Sequence, residues 1–268
     1  MKAIKIIGTA LMIAVCSTTN VNAQQETETI VKYDSVVSYK GFEKEADVFP
    51  KAAVKVVNAH WCALGTSITH LNNHDKRGRF ERGYLDRTMD QIRFAKMTNQ
   101  GVSGGCINSA IDKVIPADYY TIEHGINDWG SGVEPGTMDD YINGTRPETF
   151  AGGYRKVIDK IFEINPKAKV VLCTPRKGYD FMTYLPKNCM DRHKGHYLKD
   201  YVNLIRQIGE YEGFPVADFY AECGGQRDLR NMSMDSALHP NDRGHQMMAN
   251  VLVKAIEKVL QYDTYKKK

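Results

Sequence analysis

Ser67, His239 and Asp235 are the residues of this sequence whose types could form a nucleophilic triad. A serine hydroxyl is a weak nucleophile and needs a neighbouring base, which a histidine can provide. An acid must then hold the imidazole in the correct tautomer and stabilise its charged form. Asp235 is the nearest acid upstream of His239, four residues before it. Such a set predicts acyl transfer with Ser67 as the nucleophile.

A second group of residues could stabilise the negative charge that acyl transfer places on a carbonyl oxygen. Gly101 has no side chain, so its backbone N–H can approach a ligand closely. Asn127 offers a side-chain amide N–H, and Ser67 offers its own backbone N–H. Preorganised donors of this kind lower the barrier by about 3–4 kcal/mol each. The sequence therefore predicts an oxyanion hole formed by Ser67, Gly101 and Asn127.

The hydrophobic pattern predicts strands that alternate with helices from about residue 54 onwards. This alternation favours a parallel sheet covered by helices on both faces, which is an α/β fold. The predicted strands are Val54–Gly65, a short run near Met97, Tyr119–Ile122, Lys169–Thr174 and Pro215–Phe219. The predicted helices are Tyr84–Met97, Cys106–Ile115, a helix capped by Thr149 that runs to about Ile164, and two later stretches around Leu198–Ile208 and Met248–Val259.

Four short blocks of the sequence resemble the SGNH hydrolases, also called the GDSL esterases and lipases. The blocks are Gly65-Thr66-Ser67-Ile68-Thr69, Asn99-Gln100-Gly101-Val102-Ser103-Gly104, Gly125-Ile126-Asn127-Asp128, and Asp235-Ser236-Ala237-Leu238-His239-Pro240-Asn241. Ser67, Gly101, Asn127 and His239 match the Ser, Gly, Asn and His that give the family its letters. The resemblance covers roughly residues 54–260. It implies a three-layer α/β/α sandwich with a five-stranded parallel sheet (flavodoxin-like), and ester hydrolysis through an acyl-serine intermediate without a metal or another cofactor.

Two positions depart from the family pattern. The first block usually reads Gly-Asp-Ser, whereas Thr66 stands here in place of the aspartate. A threonine hydroxyl can still accept a hydrogen bond, so we expect altered loop packing rather than altered chemistry. The family's acid usually lies three residues before the histidine, where this chain has Ser236. Either a local bulge brings Asp235 to His239, or Ser236 or a backbone carbonyl orients the ring.

Two long connections leave predicted strands at their carboxyl ends, where open parallel sheets bind ligands. They run from Trp129 to Glu148 and from Arg176 to His196, and they carry Trp129, Arg176 and Tyr179 as candidate substrate-binding residues. Aromatic faces pack well on sugar rings, and arginine can pair with a uronate. The alternative is that these side chains anchor the loops. The absence of a broad apolar lid sequence favours a carbohydrate ester over a triglyceride as the substrate.

The charge of the chain does not indicate a nucleic-acid partner. The formal net charge is +4, and +2 remains for residues 24–268, without the basic stripe that nucleic-acid binding requires.

No metal site is predicted either. His193 with His196, and His70 with His74, have no carboxylate or cysteine at a recurrent metal-ligand spacing.

Residues 1–23 have the pattern of an export signal. Lys2 and Lys5 precede an apolar run that is too short to span a bilayer, and a small-residue cleavage site ends at Ala23. We therefore expect an exported protein, periplasmic or secreted, with no stable membrane insertion after removal of the signal. Lipoprotein anchoring at Cys16 is the alternative. The remaining chain is predicted to comprise an extended segment over 24–53, a hydrolase domain over 54–262 and a basic tail over 263–268.

Five cysteines remain after the signal, an odd number without a Cys-x-x-Cys motif. Cys62 and Cys173 lie in predicted strands, where we expect them to be buried. Cys189 and Cys223 lie in predicted loops and could pair in an oxidising compartment.

Three functions are consistent with these observations. The first is an exported serine esterase that removes acetyl or similar groups from a glycan. The second is a lipase or lysophospholipase of the same fold. The third is an inactive relative that binds carbohydrate.

Overall fold

The computed structural model describes residues 55–71, 82–178, 188–224 and 238–264. Within these residues five parallel strands form one sheet in the order β2-β1-β3-β4-β5. The strands are β1 (Lys55–Gly65), β2 (Ile92–Gly101), β3 (Tyr119–Glu123), β4 (Lys169–Cys173) and β5 (Val216–Ala217). The predicted α/β fold with a five-stranded parallel sheet is thus confirmed.

Helices cover both faces of this sheet. In chain order they are α1 (Ser67–His70), α2 (Tyr84–Gln91), a 3-10 helix (Ile107–Lys113), α3 (Ile126–Ser131), α4 (Met138–Asn143), α5 (Phe150–Ile164), α6 (Leu198–Glu212), α7 (Phe219–Glu222) and α8 (Asp242–Thr264). Thr149 caps α5 as predicted, because its Oγ1 accepts a hydrogen bond from the Gly152 N–H at 3.1 Å. None of the described helices combines the length and the apolar character that crossing a bilayer requires.

The core is divided by the sheet into two layers. Along β1, Trp61 and Ala63 pack into one layer with α2 and α8, whereas Cys62 and Leu64 pack into the other with α5 and α6. All four side chains are fully buried. This alternation follows from the two-residue period of a strand, and burial on both faces is typical of parallel sheets. The three-layer arrangement predicted from the sequence is therefore present.

Two predicted elements were wrong. The helix predicted over Tyr84–Met97 is only α2, and the chain enters β2 at Ile92. Ile92 and Phe94 are buried and the intervening Arg93 is exposed, so pairing with β1 overrides the local helical preference. The connection predicted as one long loop after Trp129 contains the end of α3 and all of α4, whose N-terminus is closed by a capping box.

The five cysteines of the described residues are free thiols. Cys62 and Cys173 are buried in β1 and β4, as predicted. Cys189 and Cys223 are also buried, but they pack in the core layers on opposite faces of the sheet. The disulfide that the sequence allowed between these two residues is therefore not formed.

Strand order brings three strand ends together. Gly65, at the end of β1, is in register with Gly101 of β2 on one side and with Glu123 of β3 on the other. The chain thus adds β2 to one side of β1 and then β3 to the other side. In doubly wound sheets ligands bind at such a reversal, outside the carboxyl ends of the strands.

Candidate active site

Ser67 is the first residue of α1, directly after a tight turn that ends β1. Thr66 is the N-cap of this helix, and its Oγ1 accepts a hydrogen bond from the Ile68 N–H at 3.3 Å. Gly65 permits the turn, because a Cβ at this position would lie 2.1 Å from Thr69 Oγ1. The turn places Ser67 at the carboxyl edge of the sheet, where its side chain is largely buried.

His239 lies 172 residues further along the chain and contacts Ser67 directly. Its Nε2 is 2.9 Å from Ser67 Oγ, which is the separation of a nucleophile and its base. The position of His239 is set by the start of α8, which Asn241 caps by accepting a hydrogen bond from the Gly244 N–H at 3.0 Å. The structure thus brings the predicted nucleophile and the predicted base together.

Arg87 of α2 holds the first turn of α8 in place. Its Nη2 forms an ion pair with Asp242 at 2.6 Å, and its Nη1 donates to Gln246 Oε1 at 3.0 Å. These contacts fix α8, and with it the loop of His239, against the helix that follows the nucleophile. Asp235, Ser236 and Tyr179 lie outside the described residues. The predicted roles of Asp235, as the acid, and of Tyr179, in substrate binding, therefore remain predictions.

Asn127 lies in the first turn of α3, four residues after the end of β3. Its Nδ2 donates a hydrogen bond to the Gly105 carbonyl at 3.0 Å, and its side chain is buried. A side-chain amide carries two N–H groups. One of them fixes the amide here, and we expect the second to bind a ligand at the edge of the sheet. A donor that is fixed before the substrate arrives is what an oxyanion hole requires.

We expect Asn127→Ala to lower kcat by about 10²- to 10³-fold, because it removes one preorganised donor. KM should change little, since the donor acts on charge that develops only in the transition state. Steady-state kinetics with p-nitrophenyl acetate would measure both constants. A drop in kcat smaller than fivefold would exclude Asn127 from the oxyanion hole.

Gly101 does not occupy the predicted position of an oxyanion donor. Its N–H donates to Asn99 Oδ1 at 2.9 Å, and Asn99 Nδ2 in turn donates to the Thr69 carbonyl at 2.7 Å. A Cβ at Gly101 would lie 2.3 Å from the His70 nitrogen. Gly101 is therefore needed for close packing of β2 against α1, and its N–H is already used.

Gly104 is the stronger candidate for this donor. It follows the end of β2 in an exposed turn with φ of +73°, a conformation that favours glycine. No hydrogen bond joins its N–H to another described residue. The sequence signal for this position was the glycine pair at 104 and 105, which marks a turn just after a strand.

Trp129 was predicted to contact the substrate, and this prediction was wrong. The ring is fully buried, and its Nε1 donates to the His196 carbonyl at 3.1 Å. The His193 ring packs edge-on against it at 5.6 Å, and His193 Nε2 lies 3.0 Å from the Gly130 carbonyl oxygen. Trp129 therefore anchors the loop of His193 and His196 to α3. His193 and His196 both take part in this contact with Trp129. Among the described residues, no group of histidine, cysteine, aspartate or glutamate side chains could hold a metal ion.

Arg176 lies three residues after the end of β4 and is buried at the carboxyl edge of the sheet. Burial, followed by the positive charges of Arg87 and Arg176, lowers the pKa of His245 to about 3. The guanidinium of Arg176 thus contributes positive charge beneath this edge. Arg176 is 3% exposed, and its predicted pairing with a uronate of the substrate stays a prediction.

Two buried acids lie behind the nucleophile. Burial raises the pKa of Glu123 from about 4.5 to about 7, against the hydrogen bonds from Thr66 and Thr69 that lower it. Burial likewise raises the pKa of Asp128 from about 3.8 to about 7, although Asp128 Oδ1 accepts a hydrogen bond from the Ile107 N–H at 2.9 Å. Both carboxyls therefore lose their protons at a higher pH than exposed carboxyls do.

The free energy of unfolding should consequently fall as the pH rises from about 4 to about 7. In this window the unfolded chain has lost the proton of Asp128 while the folded chain keeps it. The contribution of Asp128 to the free energy of unfolding therefore falls by up to about 1.4 kcal/mol per pH unit. Asp128→Asn should remove this slope and retain the acceptor for Ile107. Urea unfolding at pH 5, 6 and 7 should show that the free energy of unfolding of Asp128→Asn rises relative to that of the natural protein with each step in pH. A difference that stays constant with pH would contradict the prediction.

The comparisons with known proteins agree with the fold. A family model described as GDSL-like lipase/acylhydrolase matches residues 63–247. A comparison with curated proteins gave no match. Among solved structures, the chain is similar to a possible lipase from Chitinophaga pinensis, with 26% identity, a TM-score of 0.64, and 75% of this chain and 99% of that chain covered.

Two further structures are similar at lower identity. One is a protein from Lactobacillus plantarum, with 23% identity, a TM-score of 0.61, and 77% of this chain and 98% of that chain covered. The other is a member of the lipolytic G-D-S-L protein family from Veillonella parvula, with 17% identity, a TM-score of 0.51, and 74% and 98% covered. At these identities the likeness shows the fold alone.

Proposed function

Because this chain belongs to the GDSL-like lipase/acylhydrolase family of ester hydrolases, we propose that it is an exported serine esterase that removes acetyl or similar small acyl groups from a carbohydrate. The observation that carries the proposal is the 2.9 Å contact between Ser67 Oγ and His239 Nε2 at the carboxyl edge of the sheet. This contact supplies a nucleophile with its base.

The chemistry follows from these two side chains. Ser67 Oγ attacks the ester carbonyl carbon while its proton passes to His239 Nε2. The tetrahedral oxyanion is bound by the N–H groups of Ser67, Asn127 and Gly104. His239 then gives the proton to the oxygen of the leaving alcohol, which departs and leaves the acyl group on Ser67. Water, deprotonated by His239, releases the acid and restores the serine.

A small acyl group and a polar alcohol are supported by the residues around the edge. Next to β4, the Lys177 ammonium lies over the Tyr220 ring at 4.8 Å. A lysine at this position suits a carbohydrate ester, including an acidic one, better than a long acyl chain.

A lipase of the same fold is the second candidate. The solved structure with 26% identity to this chain is described as a possible lipase, and that observation favours it. The two candidates differ in the length of the acyl chain that binds at the carboxyl edge of the sheet, next to Ser67.

Substrate preference separates these candidates. We would incubate the protein with p-nitrophenyl acetate, with p-nitrophenyl palmitate and with a panel of acetylated polysaccharides, and measure the released nitrophenol or acetate. Ser67→Ala serves as the matched control for non-enzymatic hydrolysis. Acetate release from one polysaccharide with no palmitate hydrolysis would support the carbohydrate esterase. Faster palmitate hydrolysis would support the lipase, and inactivity in all arms would support a binding protein.

Export is proposed from residues 1–23 alone. The positive residues Lys2 and Lys5, the short apolar run and the small residues before Gln24 together fit a cleaved signal. Expression of the full chain in a bacterium, followed by mass determination of the extracytoplasmic product, should give a mature protein that begins at Gln24. A product that retains Met1 in the cytoplasm would contradict export, and a lipid-modified product that begins at Cys16 would support anchoring.

A further inference from the structure

Glu123 ends β3 beneath the turn that carries Ser67, and its carboxylate binds that turn on both sides of the serine. Glu123 Oε2 accepts hydrogen bonds from the Thr66 N–H at 3.2 Å, from the Thr66 hydroxyl at 2.8 Å and from the Thr69 hydroxyl at 3.1 Å. Thr66 precedes Ser67 and Thr69 follows it by two residues. Glu123 and both threonines are buried. A single oxygen atom therefore fixes both ends of the short segment that presents the nucleophile.

The hydrogen bonds continue from this turn to the helix that follows the base. Thr69 Oγ1 lies 2.8 Å from Tyr84 Oη. Because the Thr69 hydroxyl donates to Glu123, the Tyr84 hydroxyl must donate to Thr69. The Tyr84 backbone N–H in turn donates to His245 Nδ1 at 3.2 Å, and the two rings stack with their centroids 6.3 Å apart.

His245 lies on α8, six residues after His239. Burial holds its pKa far below the usual range, so the ring is neutral and Nδ1 can accept the hydrogen bond from Tyr84. One buried network thus extends from Glu123 to the helix whose start positions the base. Networks of this kind rigidify a site through the bonds that are made, which here all fall on Glu123 Oε2, whereas the buried Oε1 has no partner among the described residues.

The ionised form of Glu123 is the form that matches these donors. Three donors converge on one oxygen, and hydrogen bonds to an ionised acceptor are roughly twice as strong as those to a neutral one. The titratable groups that face the carboxyl are Tyr84 of α2, Asp128 of α3, Tyr154 of α5 and Cys173 of β4. None of these four is a cation, so the threonine donors stabilise the charge.

We propose that Glu123 is a positioning residue of the esterase, which holds Ser67 in reach of His239 through the hydroxyl and backbone donors of Thr66 and Thr69. The inference rests on the proposed role of Ser67 as the nucleophile. It assigns to β3 a carboxylate that acts on the turn from outside the catalytic pair. Its loss should lower the reactivity of Ser67 with little effect on substrate binding, since a misplacement of about 1 Å can cost about 10²-fold in rate.

The test uses Glu123→Gln, which keeps the shape of the side chain and removes its charge. Two readouts are measured at pH 8: the rate constant for inactivation by a fluorophosphonate, which reports on Ser67 directly, and kcat and KM for p-nitrophenyl acetate. We expect inactivation and kcat to fall by about 10- to 100-fold with KM within threefold. Below pH 6, where Glu123 of the natural protein is itself protonated, the two proteins should react at similar rates.

Asp140 provides a matched control on a distant helix. This buried carboxylate likewise accepts hydrogen bonds from the backbone N–H and the hydroxyl of one threonine, Thr137, and from the hydroxyl of a second, Thr145. It lies on α4, which packs against α5 and α6 rather than against the turn of Ser67. We expect Asp140→Asn to leave the reactivity of Ser67 within twofold, even if its melting temperature falls.

Thr69→Val tests the same contact without a change at the carboxyl group. It should also slow inactivation, and the double variant Glu123→Gln/Thr69→Val should be no more than twofold slower than Glu123→Gln alone. Effects that multiply instead would show that the two residues act separately, and would overturn the inference. Wild-type reactivity of folded Glu123→Gln at pH 8 would overturn it as well, while leaving the esterase intact. If the natural protein itself does not react with the fluorophosphonate, the nucleophile assignment fails and the role of Glu123 fails with it.

Discussion

Replacement of Ser67 by alanine is expected to lower kcat toward p-nitrophenyl acetate by about 10⁵- to 10⁶-fold, as the loss of a nucleophile does in serine hydrolases. The substitution removes only Oγ, the atom that contacts His239 Nε2 at 2.9 Å. The backbone N–H of residue 67, the amide of Asn127 and the N–H of Gly104 all remain. The residual activity should therefore be the small part that oxyanion donors and binding supply without a covalent intermediate.

The same substitution should leave the fold unchanged. The Ser67 hydroxyl makes one side-chain hydrogen bond to His239, and a bond of this kind contributes about 1 kcal/mol to stability. Chemical denaturation would measure this difference directly. Ser109→Ala is a suitable control, because it also removes one hydroxyl hydrogen bond, here to the Cys106 carbonyl, at a position outside the catalytic pair. Retained turnover in folded Ser67→Ala would contradict the role of Ser67 as the nucleophile.

The fold could be predicted from the sequence because its signals are local. The run from Lys169 to Cys173 is apolar enough to be buried on both faces, and α5 begins at its predicted cap, Thr149. The error at β2 arose where two signals overlap. Apolar residues at 85, 89 and 92 have helical spacing, whereas those at 92 and 94 have the spacing of a strand, and only pairing with β1 decides between them.

The site was predicted less completely, because its residues depend on contacts that are distant in sequence. A glycine motif does not reveal which N–H is already used, and for Gly101 the answer depends on the side chain of Asn99. Similarly, Trp129 was expected to be exposed because it follows a strand, yet the loop of His196, 67 residues later, covers it. Neither contact can be predicted from the residue types that surround Gly101 or Trp129 in the sequence.

The contact between Glu123 and Thr66 could not be predicted from the local sequence either. The sequence shows that Thr66 replaces the acid usual in the first block, and packing was the expected consequence. Only the register of β1 against β3, which pairs Gly65 with Glu123, shows that a carboxylate reaches Thr66 from the neighbouring strand. The acid that contacts this turn therefore lies 57 residues away from Thr66 in the sequence.

The acid that orients the His239 ring should also contribute strongly to kcat. His239 directs Nε2 to Ser67, so any group that orients the ring must act at Nδ1. Asp235 and Ser236 lie four and three residues before His239. A carboxylate stabilises the imidazolium that forms during attack, whereas a serine hydroxyl can only fix the tautomer. We therefore expect Asp235, rather than Ser236, to carry this role.

Asp235→Asn should accordingly lower kcat by about 10⁴-fold, because an amide at this position favours the wrong tautomer of the histidine. Ser236→Ala, the neighbouring control, should change kcat by less than about threefold. The kcat of both variants would be measured with p-nitrophenyl acetate across pH 5 to 9, since loss of the acid should also shift the limb that reports on His239. A loss smaller than tenfold in Asp235→Asn would instead show that Ser67 and His239 work as a dyad, with the ring oriented by Ser236 or by a backbone carbonyl.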